Sequence, residues 1–177
     1  NTTVYQNNPA YEDAVAWSGL VNGWYNIVTF LSAFFLLWLA KKISPKMIHI
    51  ICLVMAAVGL LVFPHITDKN LLFVPMAGFG IAWASMMGIP YLLVVHEIPK
   101  ERYGVYMGII NMMIVIPMLF QTTTFGYILK NFLDNDPGKA ISFAGVLLLL
   151  AAVATLFIQS SKETNNTEAS MPTGGGH

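Results

Sequence analysis

Charge is scarce in this sequence. Only 10% of its 177 residues are Asp, Glu, Lys or Arg, against about a quarter in an ordinary soluble domain. The nine basic and nine acidic side chains cancel, so no charge excess calls for nucleic acid or an acidic partner. Cysteine is almost absent as well: Cys52 stands alone inside an apolar run, which excludes an intrachain disulfide framework. No Asp, Glu, Lys or Arg falls in the middle of a long apolar segment. Buried charges of that kind mark proton relays and ion paths, so a charged coupling site is expected outside this portion. The same lack counts against a membrane enzyme, which needs catalytic groups at membrane depth. The four histidines are too scattered for a metal site, and no cofactor is expected.

Apolar side chain is what the sequence has in quantity: 56% of residues are hydrophobic, and mean hydropathy is +0.63. A chain this short has too much surface for its volume to hide that much apolar matter from water. The solvent it fits is the lipid bilayer. Five segments reach the roughly 20 residues a membrane-crossing helix needs: Ala14–Ala40, Met47–Phe63, Leu71–His96, Tyr103–Leu129 and Lys139–Gln159. The expected fold class is therefore all-α integral membrane with five transmembrane helices. Residues 1–13 read as an external loop, and 160–177, rich in Gly, Thr and Asn, as a disordered cytoplasmic tail. There is no initiating Met and no signal peptide, so an upstream portion is expected.

Basic residues set an expected orientation, because cytoplasmic loops retain Lys and Arg. One side collects Lys41, Lys42, Lys46, Lys100, Arg102 and Lys162; the other holds Lys69, Lys130 and Lys139. That asymmetry puts the N-terminus outside and the tail in the cytoplasm.

Uncharged polar residues carry the remaining signal. Gly19, Asn22, Gly23 and Asn26 share one face of the first span; Gly104, Gly108, Asn111, Thr122 and Gly126 align on the fourth. Both faces have the small-x-x-x-small spacing that lets helix backbones approach. The asparagines serve either as glue between helices or as amide partners for sugar hydroxyls in a wet cavity. Trp24, Tyr25, Trp83 and Tyr91 either stack on a sugar ring or act as packing and interface anchors. His49, His96 and Glu97 sit near span ends, as solvated interfacial groups or as a cytoplasmic gate pair. Pro75, Pro90 and Pro117 each free a carbonyl and so bend a helix or require local repair.

Two stretches go further. Ile81-Ala82-Trp83-Ala84-Ser85-Met86-Met87-Gly88-Ile89-Pro90-Tyr91 precedes a short charged loop, and Gly104-Val105-Tyr106-Met107-Gly108-Ile109-Ile110-Asn111-Met112-Met113-Ile114-Val115-Ile116-Pro117 follows it. Together they resemble the tenth and eleventh helices of the glycoside–pentoside–hexuronide cation symporters, on the sucrose- and maltose-transporter side of the major facilitator superfamily. The resemblance implies helices eight to twelve of a twelve-helix fold, facing an N-terminal half that lies upstream. It implies a sugar substrate, a disaccharide or maltose-type glycoside, moved across the cell membrane (the inner membrane in a bacterium) by symport with a proton or, alternatively, sodium. Carried onto this chain, the substrate-binding residues are Asn22, Asn26, Trp83, Ser85 and Asn111, with Glu101 and Arg102 at the cytoplasmic gate. One departure is visible: Met118 follows Pro117 where the family commonly has Gln, and Gln121 comes a turn later. The competing reading is a non-transporting scaffold or assembly subunit complete at five helices.

Overall fold

A computed structural model describes residues 9–95, 98, 99 and 102–158. Five long helices follow one another: α1 (Pro9–Leu39), α2 (Pro45–Val62), α3 (Phe73–Val95), α4 (Tyr103–Asn131) and α5 (Pro137–Leu156). Short 3-10 turns at Phe63–His65 and Lys69–Leu72 join α2 to α3. All five helices are long and apolar enough to cross a membrane.

Proline and side-chain caps explain where the helices start. Pro45 and Pro137 each open a helix, where the missing N–H would have no partner in any case. Asp136 caps α5 by accepting from the backbone N–H groups of Gly138 (2.7 Å) and Lys139 (3.4 Å). The first helix is already formed at Pro9, inside the stretch expected to be loop and five residues ahead of Ala14. Pro75 is also placed differently from the expectation: it lies in the first turn of α3, where it removes no helical hydrogen bond. Pro90 and Pro117 do lie inside helices, and α3 and α4 run through them as single elements. His96, residues 1–8 and 159–177 fall outside the described residues.

Packing orders the helices as α1–α3–α2–α5, with α2 in the middle against both α3 and α5. Its buried face is Ile48, Cys52, Leu53, Ala56, Ala57 and Leu60. Small residues let the backbones close in. A Cβ on Gly80 would come within 2.9 Å of the Tyr25 carbonyl oxygen of α1, and one on Gly145 within 3.1 Å of the Ala57 carbonyl oxygen of α2. Lipid tails are as apolar as Leu, so close van der Waals contact of this kind is what holds helices together in a bilayer. The glycines picked out from spacing are not the ones that do this. A Cβ at Gly19, Gly23, Gly104, Gly108 or Gly126 meets nothing within 4 Å. Among the described residues α4 shares no extended contact with any other helix, and Ile110 is its only buried side chain.

Candidate functional site

Helices α1 and α3 approach closely where they cross at Gly80. Thr29 Oγ1 marks that crossing, donating to the carbonyls of Tyr25 (2.9 Å) and Gly80 (3.2 Å). Residues of α1, of α3 and of the turn before α3 line a cavity of about 1040 Å³. Its aromatic wall is a run of rings: Tyr25 stacks on Phe79 at 5.7 Å between centroids, and Phe79 lies 6.2 Å from Trp83. Asn22 and Ser18 add polar groups to the lining, and Asp13 and Lys69 add charged ones.

Two tryptophans hold the cavity in shape by tying α1 to the turn before α3. Trp17 Nε1 donates to the Lys69 carbonyl (3.2 Å) and Trp24 Nε1 to the Phe73 carbonyl (3.1 Å). Both rings also meet Phe73 edge-on. The Lys69 ammonium sits 4.7 Å from the Trp17 ring centroid. Trp24, a stacking candidate in the sequence, is thus a clasp between α1 and α3.

Of the residues expected to bind substrate, the fold brings Asn22 and Trp83 to this cavity and places the other three elsewhere. Asn26 lies one turn beyond Asn22 and donates through Nδ2 to the Asn22 side-chain oxygen (2.7 Å) and backbone carbonyl (2.8 Å). It therefore orients Asn22, whose acceptor is engaged and whose amide nitrogen is left as a donor. Ser85 is fully buried between α2 and α3, where its hydroxyl shares a 2.8 Å hydrogen bond with His49 Nδ1. It is a helix-to-helix contact, since Trp83 and Ser85, two residues apart on a helix, point in different directions. His49 is accordingly half-buried and paired rather than solvated at an interface. Asn111 accepts a 2.6 Å hydrogen bond from the Tyr91 hydroxyl, bridging α3 and α4 away from the cavity.

The gate expectation is only half visible. Arg102 is exposed at the N-cap of α4, its backbone N–H donating to the Pro99 carbonyl (3.0 Å). Glu101, like Glu97, lies outside the described residues. Among the described residues no group of His, Cys, Asp or Glu gathers as a metal site.

Sequence reasoning missed Phe79 and Met76, which line the cavity beside Trp83. Their signal was present in the spacing: Met76, Phe79 and Trp83 fall at i, i+3 and i+7, one face of a helix. In a segment apolar on every side that periodicity has nothing polar to stand out against.

No curated protein and no solved structure matches the chain. A family model does match: that of the Major Facilitator Superfamily, over residues 2–122. That is more than half of the chain, and with five helices long and apolar enough to cross a membrane, the protein belongs to this superfamily of membrane transporters.

Proposed function

We propose that the chain forms helices eight to twelve of a twelve-helix sugar transporter and contributes one wall of its substrate site. One observation supports this reading above the others: the Asn22 amide and the Trp83 ring share a cavity whose wall is the Tyr25–Phe79–Trp83 run. Aromatic faces suit the apolar C–H faces of a sugar ring, while an amide donor suits its hydroxyls. The cavity volume of about 1040 Å³ lies just above the usual range for small-molecule sites, roughly 300–1,000 Å³, which leaves room for a disaccharide. The site is a wall rather than an enclosure, so the opposing N-terminal half supplies the other face. Substrate passes as the two halves rock about it. The proton is the proposed coupling ion, with its charged carrier in the opposing half.

Uptake of a labelled maltose-type disaccharide by proteoliposomes carrying the complete transporter tests this, with and without an imposed proton gradient. Asn22→Leu leaves a bound hydroxyl unpaired at about 1–3 kcal/mol, so apparent affinity should fall roughly tenfold to a hundredfold. Trp83→Ala should lower it about tenfold through loss of the ring face. Unchanged affinity in both variants would remove sugar binding from this cavity. Orientation is checked by an impermeant thiol reagent on intact cells, which should label Thr67→Cys and spare Ser44→Cys. The reverse pattern means the chain is inverted.

A further inference from the structure

We propose that the end of α1 and the turn leading to α2 hold one anionic phospholipid, its headgroup on Lys41 and Lys42 and its upper chains on Phe35 and Trp38. The turn concentrates three lysines within six residues, and the structure divides them into two roles. Lys46 Nζ is engaged by the carbonyls of Leu156 and Ile158 at the far end of α5, so it ties α2 to α5. Lys41 and Lys42 are exposed, and among the described residues neither has an acidic partner. The acidic groups of α1, Glu12 and Asp13, lie about 40 Å away along the helix axis at 1.5 Å per residue.

The apolar half of the site adjoins the charged half. Lys42 Nζ sits 4.0 Å from the Trp38 ring centroid, and Trp38 in turn lies 5.8 Å from the Phe35 ring. Both rings are half or more exposed, at 50% and 56%. A tryptophan at the end of a span, with a lysine folded back over it, is an interfacial arrangement: the ring sits at headgroup level and the ammonium reaches the polar layer. Two ammonium groups with no acidic partner among the described residues, above exposed rings, complement an ester-linked phosphate above acyl chains. A zwitterionic headgroup brings its own cation to a place that already holds two, whereas an anionic one brings a net negative charge. The basic excess that assigns this turn to the cytoplasmic side assigns it also to the leaflet rich in anionic lipid. The site is independent of the sugar cavity, which lies at the opposite end of α1.

The test counts lipids retained by the protein. The complete transporter is reconstituted in phosphatidylcholine vesicles with a minor fraction of phosphatidylglycerol, extracted in mild detergent and weighed intact by native mass spectrometry. Phosphatidylglycerol should be enriched over phosphatidylcholine, and the double variant Lys41→Gln/Lys42→Gln should retain it roughly tenfold to thirtyfold less. Trp38→Leu should lower retention by about twofold to fivefold. Lys130→Gln, an exposed lysine at the other end of the bundle, should change nothing. Washing the parent protein in high salt should strip phosphatidylglycerol, because exposed ionic contacts are screened; this arm needs no variant to fold. Equal retention of the two lipids, indifference to salt, or a double variant that keeps its phosphatidylglycerol each overturns the proposal. So does displacement by millimolar inorganic phosphate, which would mark a site for the free anion rather than for a lipid.

Discussion

Helices α2 and α4 are both apolar enough to cross a membrane, and both carry several small residues, yet α2 is packed on two sides while α4 is the least buried of the five. On α2 the small residues Ala56, Ala57 and Gly59 face α3 and α5. Ala56 and Ala57 are fully buried, and a Cβ on Gly59 would touch Pro75 at 3.3 Å. On α4, Gly104, Gly108 and Gly126 face open space. Hydrophobicity decides that a helix enters lipid, but the bilayer offers no hydrophobic drive for one helix to join another. Only matched surfaces do that, and α4 finds no such surface on its four neighbours. In the proposed twelve-helix transporter, its glycine face is where the opposing half would meet this one.

The largest expected effect breaks the packed side of this comparison. Gly80→Leu forces a side chain against the Tyr25 carbonyl and Thr29 at the α1–α3 crossing, which should destabilise the chain by about 1–3 kcal/mol or more. Gly108→Leu, with nothing within 4 Å, should stay within about 0.5 kcal/mol. Thermal melts of the two variants in detergent decide it. Equal losses would mean that α4 packs as closely as α3 does.

A smaller effect is expected at Ser85. Ser85→Ala removes the hydrogen bond to His49 between α2 and α3, and interhelical bonds in membranes are worth on average about 0.6 and at most about 1.7 kcal/mol. Burial of Ser85 puts the expected loss in the upper part of that range. Sugar affinity should not move. A variant of normal stability with weakened uptake would return Ser85 to the substrate site.

How much of this was legible in the sequence depended on what neighbours decide. The five spans came from length and apolarity alone, and their ends differ from the helices by a few residues, as where Pro45 and Pro137 start a helix early. Asn22 and Trp83, which line the cavity, stood out as candidates because an amide and an indole are conspicuous in an apolar run. Ser85 and Asn111 were just as conspicuous, but their hydroxyl and amide are engaged by His49 and by Tyr91. Spacing along one helix cannot reveal which residue of another helix answers it. The same limit explains why Gly80 and Gly145 were passed over: what makes each matter is a carbonyl on another helix, Tyr25 for Gly80 and Ala57 for Gly145.

The link between the two regions is finer still. Tyr91 and Asn111 join α3 to α4 through one 2.6 Å hydrogen bond. In a double-mutant cycle of Tyr91→Phe and Asn111→Leu, melting should show a coupling near 0.6 kcal/mol. A coupling of zero would leave α4 untethered at this point and make Asn111 available to substrate.

The smallest expected effect sits where α4 ends. Asp134 and Asn135 both adopt positive φ, 52° and 55°, a left-handed conformation that Asp and Asn tolerate better than most residues. It lets the Asn135 N–H close back on the Leu129 carbonyl at 2.9 Å. The Asp134 carboxylate pairs with the Lys139 ammonium. The hydrogen bond from Lys139, reinforced by its charge, holds the Asp134 carboxyl below the usual carboxylate range. A depressed carboxylate pKa contributes stability that is present above the unfolded value, about 3.9, and is lost as pH falls through the lower folded value. Both side chains are exposed, so solvent screens the pair and little stability is at stake. The expected result is a titration of the Asp134 carboxyl, followed by carbon NMR, with a midpoint under about 3.9 in the parent and back near that value in Lys139→Gln. The melting temperatures of the two proteins should be indistinguishable at neutral pH. An unshifted midpoint in the parent would mean that the ion pair does not persist in solution. The α4–α5 turn would then rest on the Asp136 cap and the backbone closure alone.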